Sequence, residues 1–244
     1  MIVVDVESTG VDPKLCSLLS VGAVDFDNPK NQFYMECYAF SGAHIEKEAL
    51  VVAGFTMEEI VPNNQSPISN NQDTPSQSLP TEAVHLSHPK TNAQGLAKLH
   101  VFASHPLKRG RGKSTDKEVV EAFLDWMKTC KEWTLVGQNP SFDRDFLQET
   151  AHRYHIAWPL AHRTIDLHSV AYFQMLKAVE EIPRKNNHSA LNLDGILTRV
   201  GLPTRAESHN ALEDAKLEAE AFSRLLSGKS LLDEYKRFSV PAGL

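Results

Sequence analysis

The sequence predicts an α/β fold, and three observations carry that prediction. An apolar run starts at Ile2 and ends in a polar turn. Two more strand-like runs follow before residue 40. From Thr115 onward, helical and strand patterns alternate. In order, Ile2, Val3, Val4 and Val6 read as a buried strand closed by Ser8, Thr9 and Gly10. Residues 18–26 and 32–39 read as strands joined through Asp27, Asn28 and Pro29, which makes a β-meander with the first. Residues 44–53 and 57–61 read as short helices. Thr115 and Glu118 form a capping box opening a helix whose Val119, Val120, Phe123, Leu124 and Met127 share one face. Residues 133–137 read as a strand broken by Asn139 and Pro140. Ser141 is the predicted N-cap of a helix over 142–154, with Phe142, Phe146 and Leu147 on one side. A strand over 163–167 and helices over 166–179 and 191–200 follow, the last stopping at Gly201 before Pro203. The strongest helical pattern covers 211–226.

With 244 residues and 41% hydrophobic content, the chain suits one core better than two. The expected organisation is a single domain over 1–228 with an inserted segment at about 62–113 and a C-terminal helical extension over 229–244, where Leu231, Leu232, Tyr235 and Phe238 make an amphipathic stretch. Residues 62–80 are rich in Pro, Asn, Gln and Ser and nearly free of charge, which predicts a flexible loop. Val84, Leu86, Leu96, Leu99, Val101 and Phe102 predict docking of the segment's second half. The basic run Lys108, Arg109, Arg111 and Lys113 reads as a solvated loop or as a flap that grips phosphate.

A formal charge of −6 does not suit a protein that holds long nucleic acid through a broad basic surface. Cys16, Cys37 and Cys130 are odd in number and lack metal-ligand spacing, so a reducing compartment is expected. There is no apolar run of 18 residues, and no signal peptide fits before a strand starting at Ile2. These features predict a soluble intracellular protein, cytoplasmic or nuclear, with no membrane partner.

Asp5 and Glu7 stand two apart on the first strand and so project from one face. Paired carboxylates repel, and hard divalent cations relieve that repulsion. Their position at a strand's carboxyl end is where open α/β folds place ligands. Asp143 falls in the first turn of the helix after the second buried strand. Asp145 points about 200° away round that helix and reads as solvated. Asp214 lies one turn after Asn210 at the start of the last long helix, and His209 reaches the same region from a loop position expected to be mobile. His152, His155, His162 and His168 have no carboxylate pattern around them. Read singly, Asp5 and Glu7 would be a solvated turn and His209 a surface histidine. It is their combination that points to a metal site.

DVESTG at the start, Asn139, Phe142, Asp143 and Phe146 as N-x-x-F-D-x-x-F, and His209 with Asp214 as H-x4-D together resemble the three motifs of the DEDD superfamily of 3′→5′ exonucleases. A histidine five residues before the last aspartate marks the DEDDh subgroup. The resemblance covers residues 1 to about 60 and about 114–227. It implies a ribonuclease H-like fold with a mixed central sheet flanked by helices. It also implies that Asp5, Glu7, Asp143 and Asp214 hold two Mg²⁺ or Mn²⁺ ions, typically roughly 3.5–4 Å apart, with His209 as general base. Thr9, Gly10, Asn139, Phe142 and His209 would contact the terminal nucleotide. The implied substrates are single-stranded DNA or RNA 3′ ends, and the implied product is a nucleoside 5′-monophosphate. A phosphodiesterase acting on dinucleotides or short oligoribonucleotides, and a non-catalytic module binding nucleic acid or a polymerase, are the alternative readings. A homodimer and a polymerase or repair partner stay open.

Overall fold

The computed structural model describes residues 1–62 and 113–244. The first strand, β1 (Ile2–Ser8), pairs antiparallel with β2 (Leu18–Asp25), which pairs antiparallel with β3 (Gln32–Tyr38), so the meander expected from the sequence is formed. Helices α1 (Lys47–Ala53) and α2 (Met57–Ile60) follow. After a two-residue strand β4 (Ser114–Thr115), the chain runs through α3 (Asp116–Met127), β5 (Leu135–Gly137), α4 (Pro140–Arg153), β6 (Thr164–Asp166) and α5 (Leu167–Lys177). A hairpin of β7 (Arg184–Lys185) and β8 (His188–Ser189) leads into α6 (Leu193–Arg199) and α7 (Ala211–Ser227). The main sheet has the order β4-β3-β2-β1-β5-β6. Because β5 runs parallel to β1 and β6 parallel to β5, the carboxyl ends of these three strands share one edge. This mixed sheet with helices on both faces is a ribonuclease H-like architecture.

The alternation of β1 sorts the two cores. Ile2, Val4 and Val6 face α3 and α4, packing with Phe123, Met127, Phe146 and Leu147. Val3 faces the other side, with Leu167 of α5, Ile196 of α6 and Leu217 of α7. Asp5 and Glu7 are in phase with Val3 and therefore on the α7 face. Every residue of β2 is buried, as a strand covered on both faces should be. The Thr115 and Glu118 capping box is present as expected: Thr115 Oγ1 accepts from Glu118 N at 3.2 Å, and Glu118 Oε2 accepts from Thr115 N at 2.8 Å.

The N-cap of α4 is Asn139, not Ser141. Asn139 adopts a left-handed conformation with φ 58°, Pro140 supplies the first helical residue, and Ser141 donates its hydroxyl to Asn139 Oδ1. Pro140 fits that position because it has no N–H to leave unsatisfied. The final segment is also not a helix: its regular structure is one 3-10 turn, Asp233–Tyr235. What holds this segment is a buried ion pair on α7. Arg224, fully buried, bonds Glu220 at 2.8 Å and donates to the carbonyls of Val200, Tyr235 and Phe238 at 2.9, 3.1 and 3.0 Å. Glu220 accepts from the backbone amides of Leu231 and Leu232. Leu232 and Tyr235 are thereby seated in the α7-side core.

The expected loop over 62–80, apart from Pro62, the docking residues Val84 to Phe102 and the basic run up to Arg111 lie outside the described residues. Lys113, the end of that run, is committed internally. It pairs with Glu36 at 3.3 Å and sits over the Phe55 ring at 4.2 Å, so it is no part of a solvated cluster. Cys16, Cys37 and Cys130 are free thiols and buried.

Candidate active site

One glycine and one unfinished strand pairing build the site. In the sheet register Asp5 pairs with Gly22 of β2. A Cβ on Gly22 would lie 2.1 Å from the carbonyl carbon of Ala211, so only glycine admits the start of α7 there. That approach brings Asp214, 3% exposed, over the face of β1 that carries Asp5 and Glu7. Asn210 caps the helix, accepting from Leu212 N at 3.1 Å and Glu213 N at 3.2 Å. On the other flank, pairing of β1 with β5 ends at Val3 and Val136, and the Val6 amide donates instead to Asp143 Oδ1 at 3.0 Å. Asp143 is thus tied to the backbone between the two β1 carboxylates. Asp145 is half-exposed and engaged with Arg144, as its helical phase predicted.

His209 is held through both its backbone and its ring. Its amide donates to Val52 O at 3.0 Å, and its Nδ1 lies 3.5 Å from Asp214 Oδ2. Arg205, four residues before it, is gripped by Asp194 of α6 through its backbone amide at 3.1 Å and its guanidinium at 3.2 Å. The same guanidinium comes within 3.4 Å of His209 Nδ1 and 3.7 Å of Asp214. Donor atoms of Glu7, His209 and Asp214 all lie within 4.8 Å of one another.

The electrostatics follow from packing carboxyls away from water with little positive charge to offset them. Burial raises Asp143 from 3.8 to about 7, against the lowering effect of the Val6 amide. Burial raises Asp214 to about 6, with Arg205 opposing. Asp5 is raised well above its ordinary value, first by burial and then by the charges of Asp143, Glu218, Glu7 and Asp214. Burial and the Arg205 charge push His209 down, which keeps its imidazole neutral at neutral pH. Among the described residues Asp214 Oδ2 accepts no close hydrogen bond, with His209 Nδ1 and the Arg205 guanidinium standing at 3.5 and 3.7 Å. Raised carboxyls, an undonated oxygen and a neutral imidazole form a donor set that fits a hard divalent cation.

Beside this cluster a cavity of about 360 Å³ is lined by Glu7, Ser8, Gly10, Glu46, Val52 and Phe142, among others. Of the residues expected to contact the terminal nucleotide, Gly10 and Phe142 line this cavity, and the Phe142 ring packs at a tilt against Phe146 with ring centres 4.9 Å apart. Thr9 does not line the cavity. It is fully buried, with its hydroxyl donating to His44 O at 2.7 Å and accepting from Ser17 N at 2.8 Å, so its side chain fastens a loop. Asn139 turns the chain into α4, and its amide donates to Asp166 at 3.1 Å. Two residues at the site were missed from sequence. Arg205 carried no motif signal. Glu218 did carry one, standing four residues after Asp214 and hence on the same face of α7.

A sequence model described as an exonuclease matches residues 108–222. No curated protein matches the sequence. Among solved structures, Escherichia coli exonuclease I in complex with a dT13 oligonucleotide aligns at TM-score 0.57 and 13% identity. The alignment covers 93% of this chain, but the chain spans only 40% of that protein's length. The nuclease domain of 3′hExo, a DEDDh family member bound to rAMP, aligns at TM-score 0.56 and 14% identity, covering 100% of this chain and 96% of that domain. The cell-death related nuclease CRN-4 aligns at TM-score 0.58 and 14% identity, covering 94% of this chain and 64% of its own. At such identities the likeness speaks for the fold.

Proposed function

We propose that the chain is a DEDDh-type nuclease of the exonuclease family, whose model matches residues 108–222, and that it removes nucleotides from the 3′ end of single-stranded DNA or RNA and releases nucleoside 5′-monophosphates. The observation that carries this reading is the convergence of three distant segments. Glu7 comes from β1, Asp143 from the start of α4, and His209 with Asp214 from the entry to α7, all at one sheet edge beside a nucleotide-sized cavity.

Asp5, Glu7, Asp143 and Asp214 would hold divalent cations, Mg²⁺ or Mn²⁺ by the hardness of their oxygens. When bound, such ions stabilise charge on the attacking and leaving oxygens of a phosphodiester. The protein's own part is orientation and proton transfer. Gly10 and Phe142 bound the cavity for the terminal nucleotide, Phe142 offering a ring face held by Phe146. His209, neutral because its pKa is lowered, takes the proton from the attacking water. Asp214, 3.5 Å from Nδ1, then steadies the imidazolium that results. Arg205 holds the His209 loop against α6, so that the base is presented from a fixed position.

The test is incubation of the purified protein with matched 5′-labelled single-stranded RNA and DNA, with Mg²⁺, with chelator, and with an Asp143→Ala control. A metal-dependent ladder shortening from the 3′ end and missing in the variant is the expected outcome, and it would also show which sugar is preferred. Fragments of internal origin, or cleavage that survives chelation, would sink the proposal.

A further inference from the structure

Glu218 has no role in the chemistry above, yet it lies within the same charged cluster. It follows Asp214 by one turn on α7, is 2% exposed, and its Oε2 has no hydrogen-bond partner among the described residues. That oxygen rests on the end of β5, 3.1 Å from where a Cβ on Gly137 would sit. Gly137 immediately precedes the turn that delivers Asp143, so Glu218 packs between the segments carrying Asp143 and Asp214. Its charge acts on Asp5 more strongly than that of Glu7 does, and it feels Asp143 and Asp214 in turn. The Gln138 backbone amide favours its charged form more than Arg205 does, and Arg205 is the weakest of the influences on it. The ion pair that Glu220 makes with Arg224 has no counterpart at Glu218 among the described residues.

On packing grounds alone this is a poor residue for the position. A buried carboxyl with an undonated oxygen and three carboxyl neighbours costs stability that a neutral side chain of the same shape would not. Below its raised pKa the group escapes that cost by taking up a proton, and above it the cost is recovered when positive charge arrives.

We propose that Glu218 is a fifth carboxylate of the cation site, set on its buried side behind Asp5, Asp143 and Asp214, where it raises the affinity for divalent cations. The proposal rests on the cation-site reading given above. Glu218 stands outside the tight group formed by Glu7, His209 and Asp214. Asp5 and Asp143 stand outside that group as well, but Glu218 Oε2 rests against Gly137 at the end of β5, so Glu218 supports the site from behind and is a positioning residue.

The test is calorimetric titration of the full chain, stripped of metal, with Mn²⁺ at pH 8, alongside melting of the metal-free protein. Wild type is compared with Glu218→Gln and Glu218→Asp. Glu218→Gln should bind Mn²⁺ about 10–100-fold more weakly, the usual effect of losing an outer support, while its metal-free form melts no lower than wild type. Glu218→Asp, which keeps the charge, should recover most of the affinity. Wild-type affinity in Glu218→Gln would overturn the proposal. So would equal loss of affinity in both variants with lowered melting, or failure of both to fold, since either would mark a packing role. If wild type itself bound no Mn²⁺, the cation-site reading would fall and this inference with it. Binding by wild type that Glu218→Gln leaves unchanged would remove the inference alone.

Discussion

Replacing Asp143 by Asn should stabilise the metal-free protein, and the size of the gain can be worked from the site. Asp143 is 4% exposed and its pKa is raised from 3.8 to about 7. At about 1.4 kcal/mol per unit, holding this group ionised in the folded state costs about 4 kcal/mol. A carboxyl whose folded pKa is raised contributes stability that is present below 3.8 and lost as pH climbs to about 7. Asn does not titrate, and its Oδ1 can still accept the Val6 amide bonded at 3.0 Å to the native side chain. The advantage of Asp143→Asn should therefore grow from under about 1 kcal/mol at pH 4 to about 4 kcal/mol at pH 8. Urea unfolding in chelator at several pH values between these limits measures it. Adding Mg²⁺ at pH 8 should narrow or reverse the gap, because only the wild type gains fully from binding. A difference that stays flat with pH, or a variant less stable at pH 8, would refute the view that Asp143 is a buried carboxyl awaiting a cation.

The same shifts make cation binding a competition with protons. Affinity for Mn²⁺ measured by titration should rise between about pH 6 and 8, the range set by Asp214 at about 6 and Asp143 at about 7. A pH-independent affinity would contradict the assigned ligands. His209→Ala should lower turnover by roughly 10²–10⁴-fold, as for a lost general base, while Mn²⁺ binding falls less than in Asp214→Asn. Full activity at neutral pH would remove His209 from its role. Far from the site, Arg224→Met should cost about 3–5 kcal/mol in urea unfolding by leaving Glu220 buried and unpaired. Pairing it with Glu220→Gln should return part of that loss. A single variant as stable as wild type would mean the C-terminal segment is held by its apolar contacts alone.

Much of this was legible in the chain, for identifiable reasons. The β1 alternation placed Asp5 and Glu7 on one face because period-two patterning is local. The Thr115 capping box appears as expected because both partners lie within four residues. The helix over Ala211–Ser227 was clear because its apolar stripe is long. What escaped was non-local. Ser141 looked like the better cap by residue type, but the left-handed turn at Asn139, tied to Asp166 of a neighbouring strand, moved the start of α4. Thr9 looked like a pocket residue because of its place in the motif, but its hydroxyl is consumed by His44 and Ser17. The last segment looked helical from its apolar spacing. In the fold, the carbonyls of Tyr235 and Phe238 turn toward Arg224, which a continuing helix would have kept for itself.

Two glycines explain why the motifs alone understate the site. Acidic side chains of three segments repel one another, so some force must bring their backbones together before any cation is present. Gly22 supplies part of it by letting α7 settle directly on β2, where any Cβ would collide with Ala211. Once there, α7 buries Leu217, Phe222 and Leu225 against the sheet. Gly137 does the same on the other side, where an added Cβ would lie 2.9 Å from the Val4 carbonyl as well as against Glu218. Apolar burial along α7 and α4 thus holds five carboxyls, Glu218 included, at a separation they would not choose. Burial first, and mutual repulsion after it, raises the pKa values of Asp5, Asp143, Asp214 and Glu218 in the folded protein, and that strain is the part of the folding energy that cation binding can recover.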